Sequence, residues 1–472
     1  MSLLNTAITG INAYQKQLTT VGNNISNANT PGYSRQEVII SSAPSQFVGV
    51  GYEGSGVNID TIRRLTDQFA VEQLRVDTNL FKGHESFRDN VEQINQLLGD
   101  ERTGLNNALN QYFSSLQVAS EAPGFIPSRE ALIGAGETLQ DRFNVVSDRL
   151  IDQNKTVNST ISANASDINA LAAGIANLNE RISARTDASG LKQPNDLLDS
   201  RDELVRELSE IIGLDVVSAG NSLDIYIGNG HALVLGFESR RLEVGTSESD
   251  VRENDVFFHN GTQRTNITER ITGGTLGGVL EFRDASLAPA QNALGRIAIG
   301  FAGAFNEQQT RGIDLSGNFG NNLFTDYNTA QMARDRVQAN TGNSRPQDGA
   351  AELYIDDITQ LTTSDYEIRF TGPLDFGYEV VRASDDAVIQ TGSLKGEEPE
   401  SIKFDGLELT FTRNRFREGD RITLQPTRSA SNQFEQVLSR SAELAFASPL
   451  TGDGSLANEG TGRISQGEIL DA

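Results

Sequence analysis

The chain has 472 residues, 37% of them hydrophobic and 7% aromatic, with no Cys and no Trp and a formal charge of −25 from 39 Lys+Arg against 64 Asp+Glu. That length exceeds one ordinary core and calls for about two to four domains, while the missing Cys excludes thiol nucleophiles, thiolate metal sites and disulfides. Such acidity argues against nucleic acid and anionic membrane surfaces as partners, since both need a basic footprint, and no run of about 18 apolar residues is present for membrane insertion.

Charge is unevenly spread. From Met1 to Gln36 no acidic residue occurs, and the only charges are Lys16 and Arg35. A near-neutral start on an acidic chain suits packing against other chains, although an ordinary buried helix fits the charge alone equally well. The N-terminus lacks a basic n-region, a continuous apolar core and a small-residue cleavage site, so any export must proceed without a cleaved signal peptide.

The first 28 residues read as one helix. Leu4, Ala7, Ile11, Tyr14, Leu18, Val21 and Ile25 are spaced 3, 4, 3, 4, 3 and 4 apart, a heptad seam of about three repeats. Ser2 is the expected N-cap, and Thr30-Pro31-Gly32 ends the element. The flanks of the seam are amides and hydroxyls, so the helix is expected to stay marginal until a partner helix covers it. A helix packed on its own domain's core is the plainer alternative.

Residues 33–60 read as extended, with a strand over 37–40 and a glycine-rich turn at 49–56. A long amphipathic helix is predicted from Ile62 to Leu98, carried by Ile62, Leu65, Phe69, Val76, Leu80, Phe87, Val91 and Ile94, with Gly83 as an interruption. A shorter helix follows near 103–119, closed by Pro123-Gly124. From Leu139 to Ile182 apolar positions again alternate by 3 and 4, through Phe143, Val146, Leu150, Gln153, Val157, Ile161, Asn164, Ile168, Leu171, Ile175 and Leu178, with one 4-4 stutter at Gln153–Val157–Ile161. A helix over 137–185 would run about 70 Å, which implies a rod-like bundle.

Asp196–Ile212 is a further helix, entered at Pro194 and left at Gly213. Strands follow at Leu214–Val217 and Leu223–Ile227. Helical period returns over Leu276–Gln308, with Pro289 kinking it or starting a second helix. Between 350 and 427 the period switches to 2, and Asp405-Gly406 between Ile402–Phe404 and Leu407–Phe411 is a hairpin signal. A last helix is predicted near Asn432–Ala447, ahead of a loose polar tail. The fold class is therefore α+β and multidomain, an elongated long-helix bundle with small β elements plus an inserted all-β domain. Its expected divisions are 1–60, 61–345 with a small β subdomain near 214–270, 346–428, and 429–472.

The sequence offers no convergent catalytic set. His84, His231 and His259 belong to no HExxH pattern and no triad. Gly49-Val-Gly51-Tyr-Glu-Gly54 has the letters of a dinucleotide loop, yet Val57–Ile59 reads as extended where a helix would have to start. Asp196, Asp199 and Asp202 fit a helix N-terminus and a solvated face better than a cation site, and Asp356-Asp357 fit a strand end or turn. No catalytic, metal-binding or cofactor-binding residue is assigned.

Val21-Gly-Asn23-Asn24-Ile25-Ser-Asn27-Ala28-Asn29-Thr30-Pro31-Gly32-Tyr33-Ser34-Arg35 resembles the N-terminal signature of flagellar rod, hook and hook-associated proteins. Gly273-Gly-Thr-Leu276-Gly277-Gly278-Val-Leu280-Glu-Phe282-Arg283-Asp284, with Leu294-Gly-Arg296-Ile297-Ala298, Phe305-Asn306 and Gly312-Ile-Asp314-Leu315-Ser-Gly317, resembles the hook-associated protein 1 family. That family typically shows a His where this chain has Gln309. The resemblance implies an exported, extracellular structural subunit of the bacterial flagellum, joining hook to filament; the alternative readings are another flagellar axial subunit, or a secreted adhesin with a helical stalk and a β head. Its implied partners are copies of itself, the hook subunit, a neighbouring hook-associated protein and an export chaperone. Asn23, Asn24, Asn27, Thr30, Pro31, Gly32 and Tyr33 would then fix the turn after the terminal helix. Proteins of this type also end in a second heptad helix that pairs with the first; no such repeat occurs up to Ala472, so the seam's partner in this chain is expected to be missing.

Overall fold

The structure, a computed structural model, describes residues 3–47, 49–99, 104–187, 192–372, 377–396 and 398–449. The expected cap at Ser2 and the polar stretch beyond residue 449 lie outside them. In chain order the elements are α1 (Leu3–Ser26), β1 (Gln36–Ser42), β2 (Gln46–Phe47), β3 (Tyr52–Glu53), β4 (Val57–Arg64), α2 (Gln68–Gly99), α3 (Leu105–Glu121), α4 (Ile126–Arg185) and α5 (Asn195–Ile211). Then come β5 (Leu214–Ala219), β6 (Ser222–Ile227), β7 (His231–Leu235), β8 (Glu238–Ser239), β9 (Leu242–Thr246), β10 (Asn254–Asn260), β11 (Gln263–Asn266), α6 (Gly274–Phe282) and α7 (Ala288–Arg311). The last group is α8 (Ala330–Asp335), β12 (Val337–Ala339), β13 (Ala350–Ile355), β14 (Tyr366–Phe370), β15 (Gly377–Arg382), β16 (Ala387–Ser393), β17 (Glu400–Phe404), β18 (Leu407–Arg413) and β19 (Arg421–Leu424). The chain is α+β and multidomain, and it divides into two compact units.

The first unit comprises Met1–Asp89, Val157–Gly245 and Asn254–Glu281. Ile62 belongs to strand β4 and Leu65 to the connection after it, so the helix expected from Ile62 starts at Gln68. Asp67 sets that start: its Oδ1 accepts the N–H groups of Phe69 (3.1 Å) and Ala70 (3.2 Å), two donors a helix end leaves free. Gly83 does not interrupt α2. A Cβ on Gly278 of α6 would stand 2.2 Å from the Gly83 carbonyl, so the two helices cross with their backbones touching. Gly278 serves that crossing, whereas a Cβ on Gly277 would meet the Thr272 backbone at 2.8 Å.

The part of α4 in this unit buries Val157, Ile161, Ala165, Ile168, Ala172, Ile175 and Ile182. The buried row thus runs through Ala165 and Ala172, one position beyond the expected Asn164 and Leu171, which are half-buried. Two amides of α4 clamp strand backbone. Asn169 exchanges hydrogen bonds with the N–H and C=O of Leu242 (2.7 and 2.8 Å). Asn179 donates to Leu223 O and Gly236 O and accepts from Leu223 N and the Arg201 guanidinium. Two antiparallel sheets, ordered β5-β6-β7-β8 and β11-β10-β9, complete the unit.

The second unit comprises Asn90–Thr156, Thr246–Glu253 and Phe282–Ala472. Its helical core is aromatic: Tyr112 of α3 meets Phe301 and Phe305 of α7 at 5.2 Å each, and Phe143 of α4 meets Phe434 at 4.4 Å. Such pairs add about 0.5–1.5 kcal/mol each beyond burial. α4 begins at Ile126, well before the expected 137, because Pro127 is tolerated in a first helical turn. A π turn, Arg283–Leu287, precedes α7, whose first turn holds Pro289. The wider turn absorbs the hydrogen bond that Pro cannot make.

β12–β19 form two facing sheets, ordered β12-β19-β14-β15-β16 and β13-β18-β17. Across the gap Tyr366 meets Phe404 (5.2 Å) and Phe370 meets Phe411 (6.2 Å). Asp405 and Gly406 turn the β17–β18 hairpin with φ of 44° and 76°. The helix expected at 432–447 does not form. That stretch is an irregular strap with a 3-10 turn over Ser441–Glu443, burying Phe434, Leu438 and Leu444. Its backbone is satisfied by side chains instead: Arg129 donates to Ser441 O (3.0 Å) and Leu444 O (2.8 Å), and Gln309 donates to Glu443 O (2.8 Å) and accepts from Ala445 N (3.0 Å). Gln309 therefore has a definite role, as a two-way backbone clamp.

A buried polar hub joins these strands to the helices of the same unit. Arg428 donates to Asp365, lies 3.2 Å from Glu253 and bonds Asn292 Oδ1 (3.0 Å), while Asn292 donates to Asp365 Oδ1 (3.1 Å). Asp250 accepts from Arg252 (2.9 Å) and Gln425 (2.8 Å). Burial pushes the Glu253 carboxyl up against the pull of Arg283 and Arg428.

Candidate assembly interface

α1 has two unlike faces. Thr6, Thr9, Ala13, Gln17, Thr20 and Asn24 recur at helical spacing, and the helix packs with β1 and β4 of its own chain. Ala13 is 1% and Thr20 7% exposed. Small side chains let the helix lie close on the ladder, and the Thr9 and Thr20 hydroxyls donate back into the helix, to Thr6 O (2.8 Å) and Lys16 O (3.0 Å). Thr9 Oγ1 also accepts the N–H of Val57 (3.3 Å), and a Cβ on Gly56 would strike it at 2.2 Å.

The seam faces the other way. Leu4 (69% exposed), Ile11 (57%), Tyr14 (66%), Leu18 (71%), Val21 (51%) and Ile25 (73%) are open to solvent, and Ala7 with them. Val21 and Ile25 also border a groove of about 790 Å³, lined further by Tyr33, Gln36 and Val38. A heptad row left largely exposed by its own chain is an unsatisfied apolar feature of this unit.

The turn motif anchors that helix. Asn24 Nδ2 donates to Gln36 O (2.9 Å) while its Oδ1 accepts Gln36 N (2.9 Å) and the Tyr33 hydroxyl (2.8 Å). Asn27 Nδ2 donates to Asn23 O (3.0 Å), Asn23 Nδ2 reaches the Tyr33 oxygen (3.3 Å), and Thr30 lies 3.4 Å from Asn27 Oδ1. After Pro31 the chain reverses at Gly32, with φ of 75°, against the Glu203 side chain. Only Gly takes that conformation readily.

Sequence reasoning missed what the turn docks on. Asp199 of α5 accepts the N–H of Ser34 (3.2 Å) through one oxygen and Arg64 of β4 (2.8 Å) through the other, and Arg64 also pairs with Asp202 (2.8 Å). Asp199 is therefore buried and paired, not part of a solvated face, while Asp196 stays exposed in the first turn of α5. Burial, and then the Asp199 charge, raise the Tyr33 hydroxyl pKa. The signal was present in the spacing: Asp199 and Asp202 share one face of a helix, and only their cation, distant in sequence, was illegible.

The other motifs do not converge. His84 is exposed, His231 packs on Phe258 (4.9 Å), and His259 lies 2.5 Å from Glu243. Gln46–Phe47 and Tyr52–Glu53 pair as the β2–β3 hairpin, and β4, not a helix, follows. Asp357 caps a 3-10 turn through the Thr359 N–H (2.8 Å). Among the described residues no group of three or more candidate metal ligands occurs, and no helix is long and apolar enough to cross a membrane.

Comparison with known proteins places this geometry. Residues 4–33 match the family described as flagella basal body rod protein, residues 91–324 the flagellar hook-associated protein FlgK helical domain, and residues 338–426 the flagellar hook-associated protein 1 D2-like domain. The chain is 34% identical to flagellar hook-associated protein 1 of Salmonella typhimurium over 95% of its own length and 79% of that protein. It is likewise 34% identical to the Escherichia coli protein of that name, over 95% and 80%. The solved structure of the flagellar hook junction protein FlgK from Burkholderia pseudomallei superposes with a TM-score of 0.76 at 30% identity, covering 84% of this chain and 69% of that one. The chain belongs to the flagellar hook-associated protein 1 family.

Proposed function

We infer that this chain enters the flagellar axis through its N-terminal helix, with Leu4, Ala7, Ile11, Tyr14, Leu18, Val21 and Ile25 packed between helices of neighbouring subunits. The chain is a structural subunit of the flagellum at the hook–filament junction, and its relatives are structural flagellar proteins. One observation carries the reading of the seam: it points outward along its whole length while the opposite face of α1 is already docked. Burying a Leu or Ile yields about 1.5–3 kcal/mol, so covering the seam supplies on the order of 10 kcal/mol. That is comparable with the roughly 4–15 kcal/mol that association costs, so the seam needs close helical neighbours along its length.

Asn23, Asn24, Asn27, Thr30, Pro31, Gly32 and Tyr33 then hold α1 at a fixed angle to the β1–β4 ladder. Copies of the chain, the hook subunit and the adjoining hook-associated protein are its partners, and an export chaperone binds it before export. The role is geometric, with no catalytic, metal or cofactor chemistry. Complementation of a strain deleted for the gene tests this. The intact gene restores filaments, and Ile11→Glu leaves bare hooks with unpolymerised flagellin in the medium. Filaments of normal number from Ile11→Glu would remove the seam from the interface.

A further inference from the structure

The β2–β3 hairpin is a second apolar projection of the same unit, separate from the seam. Its two strands are two residues long, Gln46–Phe47 and Tyr52–Glu53, too short to be stable on their own account. Phe47 and Tyr52 face each other as a T-shaped ring pair with centroids 5.5 Å apart. The pair stays outside the core all the same: Phe47 is 65% exposed, Tyr52 78%, and Val50 of the turn 97%. Two rings and a valine held in solvent on a short, Gly-containing loop have the composition of an interface anchor and not of a solvated turn.

The hairpin is also tied to α1. It leaves the β1–β4 ladder where Ala43 N–H meets Gly56 O (2.8 Å) and Val57 N–H meets Thr9 Oγ1 (3.3 Å). Gly56, with φ of 94°, fits there only because it lacks a Cβ. The opposite end of the ladder is fixed by Asn24 on Gln36. The hairpin therefore springs from the end of the ladder beside the N-terminal half of α1, anchored to the helix that carries the seam. Whatever seats the seam carries the hairpin into the same assembly.

We propose that Phe47, Val50 and Tyr52 form a separate contact that inserts into a second copy of this chain. This rests on the reading that the chain assembles through α1, and continuity with that interface selects a second copy as the occupant. The surface is nearly uncharged, with Glu53 its one acid, so it suits an identical neighbour of a strongly acidic protein better than a basic partner would. Each copy both offers the hairpin and receives one, a head-to-tail contact that repeats around an axis.

The test places the photo-crosslinker p-benzoylphenylalanine at Val50 in the full chain, expressed in cells lacking the native gene, and irradiates isolated flagella. The expected product is a covalent dimer of this chain, absent from irradiated monomer. In parallel, Phe47→Ser/Tyr52→Ser should lower the amount retained in sheared flagella roughly tenfold, the loss expected when about 1.4 kcal/mol or more of anchor is removed, with unfolding of the purified chain unchanged. Normal incorporation with adducts only to other polypeptides, or with none, overturns the hairpin contact and leaves the seam intact. Absence of even the unsubstituted chain from flagella overturns both.

Discussion

Arg64 of β4 and Asp199 of α5 are joined at 2.8 Å, and the other oxygen of that carboxylate takes the N–H of Ser34, the residue after the turn motif. The pair is largely withdrawn from water, with side-chain exposures of 13% and 10%. One carboxylate thus fixes both the strand beneath α1 and the chain leaving it. Asp199→Asn exchanges one acceptor oxygen for a donor, so either Arg64 or Ser34 faces a donor. The expected loss is about 1–3 kcal/mol in urea unfolding, with faster amide exchange at Ser34. A loss below about 0.5 kcal/mol, the range of a neutral surface change, would show that the pair holds nothing.

The crossing of α2 and α6 depends on missing side chains. Gly278→Ala would put a methyl group 2.2 Å from the Gly83 carbonyl, and backbone cannot retreat as a flexible side chain can. Overpacking of this kind costs about 1–3 kcal/mol. Gly134→Ala is the control, since its Cβ meets nothing within 4 Å and the position lies inside α4. Removing a helical glycine there should stabilise by up to about 1 kcal/mol. Calorimetry on the two variants should move the melting temperature in opposite directions.

Arg428 stands between Asp365 and Glu253 with only 9% of its side chain exposed. Arg428→Met fills similar space without the charge, leaving two buried carboxylates facing each other. Breaking a buried pair by removing one partner costs about 3–5 kcal/mol. The loss should appear in chemical unfolding of the full chain. A cost near zero would mean that water already screens the hub.

Asp250 gives that hub a pH signature. Burial pushes its carboxyl up, but the hydrogen bonds and charge of Arg252 and the bond from Gln425 outweigh this and leave it below the ordinary 3.8. A carboxyl depressed in the folded state lends stability above its unfolded pKa and loses it as pH falls through the folded one. Asp250→Asn should therefore cost most near neutrality, and the gap to the parent chain should close below about pH 4. A gap that widens on acidification would contradict the assignment.

Legibility followed the range of the interactions. The seam of α1 and the Asp405-Gly406 hairpin are local patterns, read directly from spacing and turn chemistry. Ile62 and Leu65 misled because their spacing continues the helical row of α2, whereas Ile62 pairs with Val38 in a ladder that no local pattern announces. The stretch 432–447 carries enough apolar residues for a helix, yet Arg129 and Gln309 satisfy its backbone from elements more than a hundred residues away. The turn motif was legible as a motif, and Asp199 was not, because its partners Ser34 and Arg64 are distant in sequence. Tyr52 falls in the glycine-rich turn at 49–56 and Phe47 in the extended stretch before it; only the structure shows the two rings facing solvent together.

The central claim is that the α1 seam is buried by neighbouring subunits, and thiol accessibility measures it most directly. The chain has no Cys, so Leu18→Cys supplies a single reporter at a position 71% exposed in the free chain. Maleimide labelling should be rapid in the purified chain and almost fully suppressed in isolated flagella, with a control cysteine on the β16 edge at Val388 reactive in both. Equal labelling of Leu18→Cys before and after assembly, with the protein present in the flagella, would contradict the account.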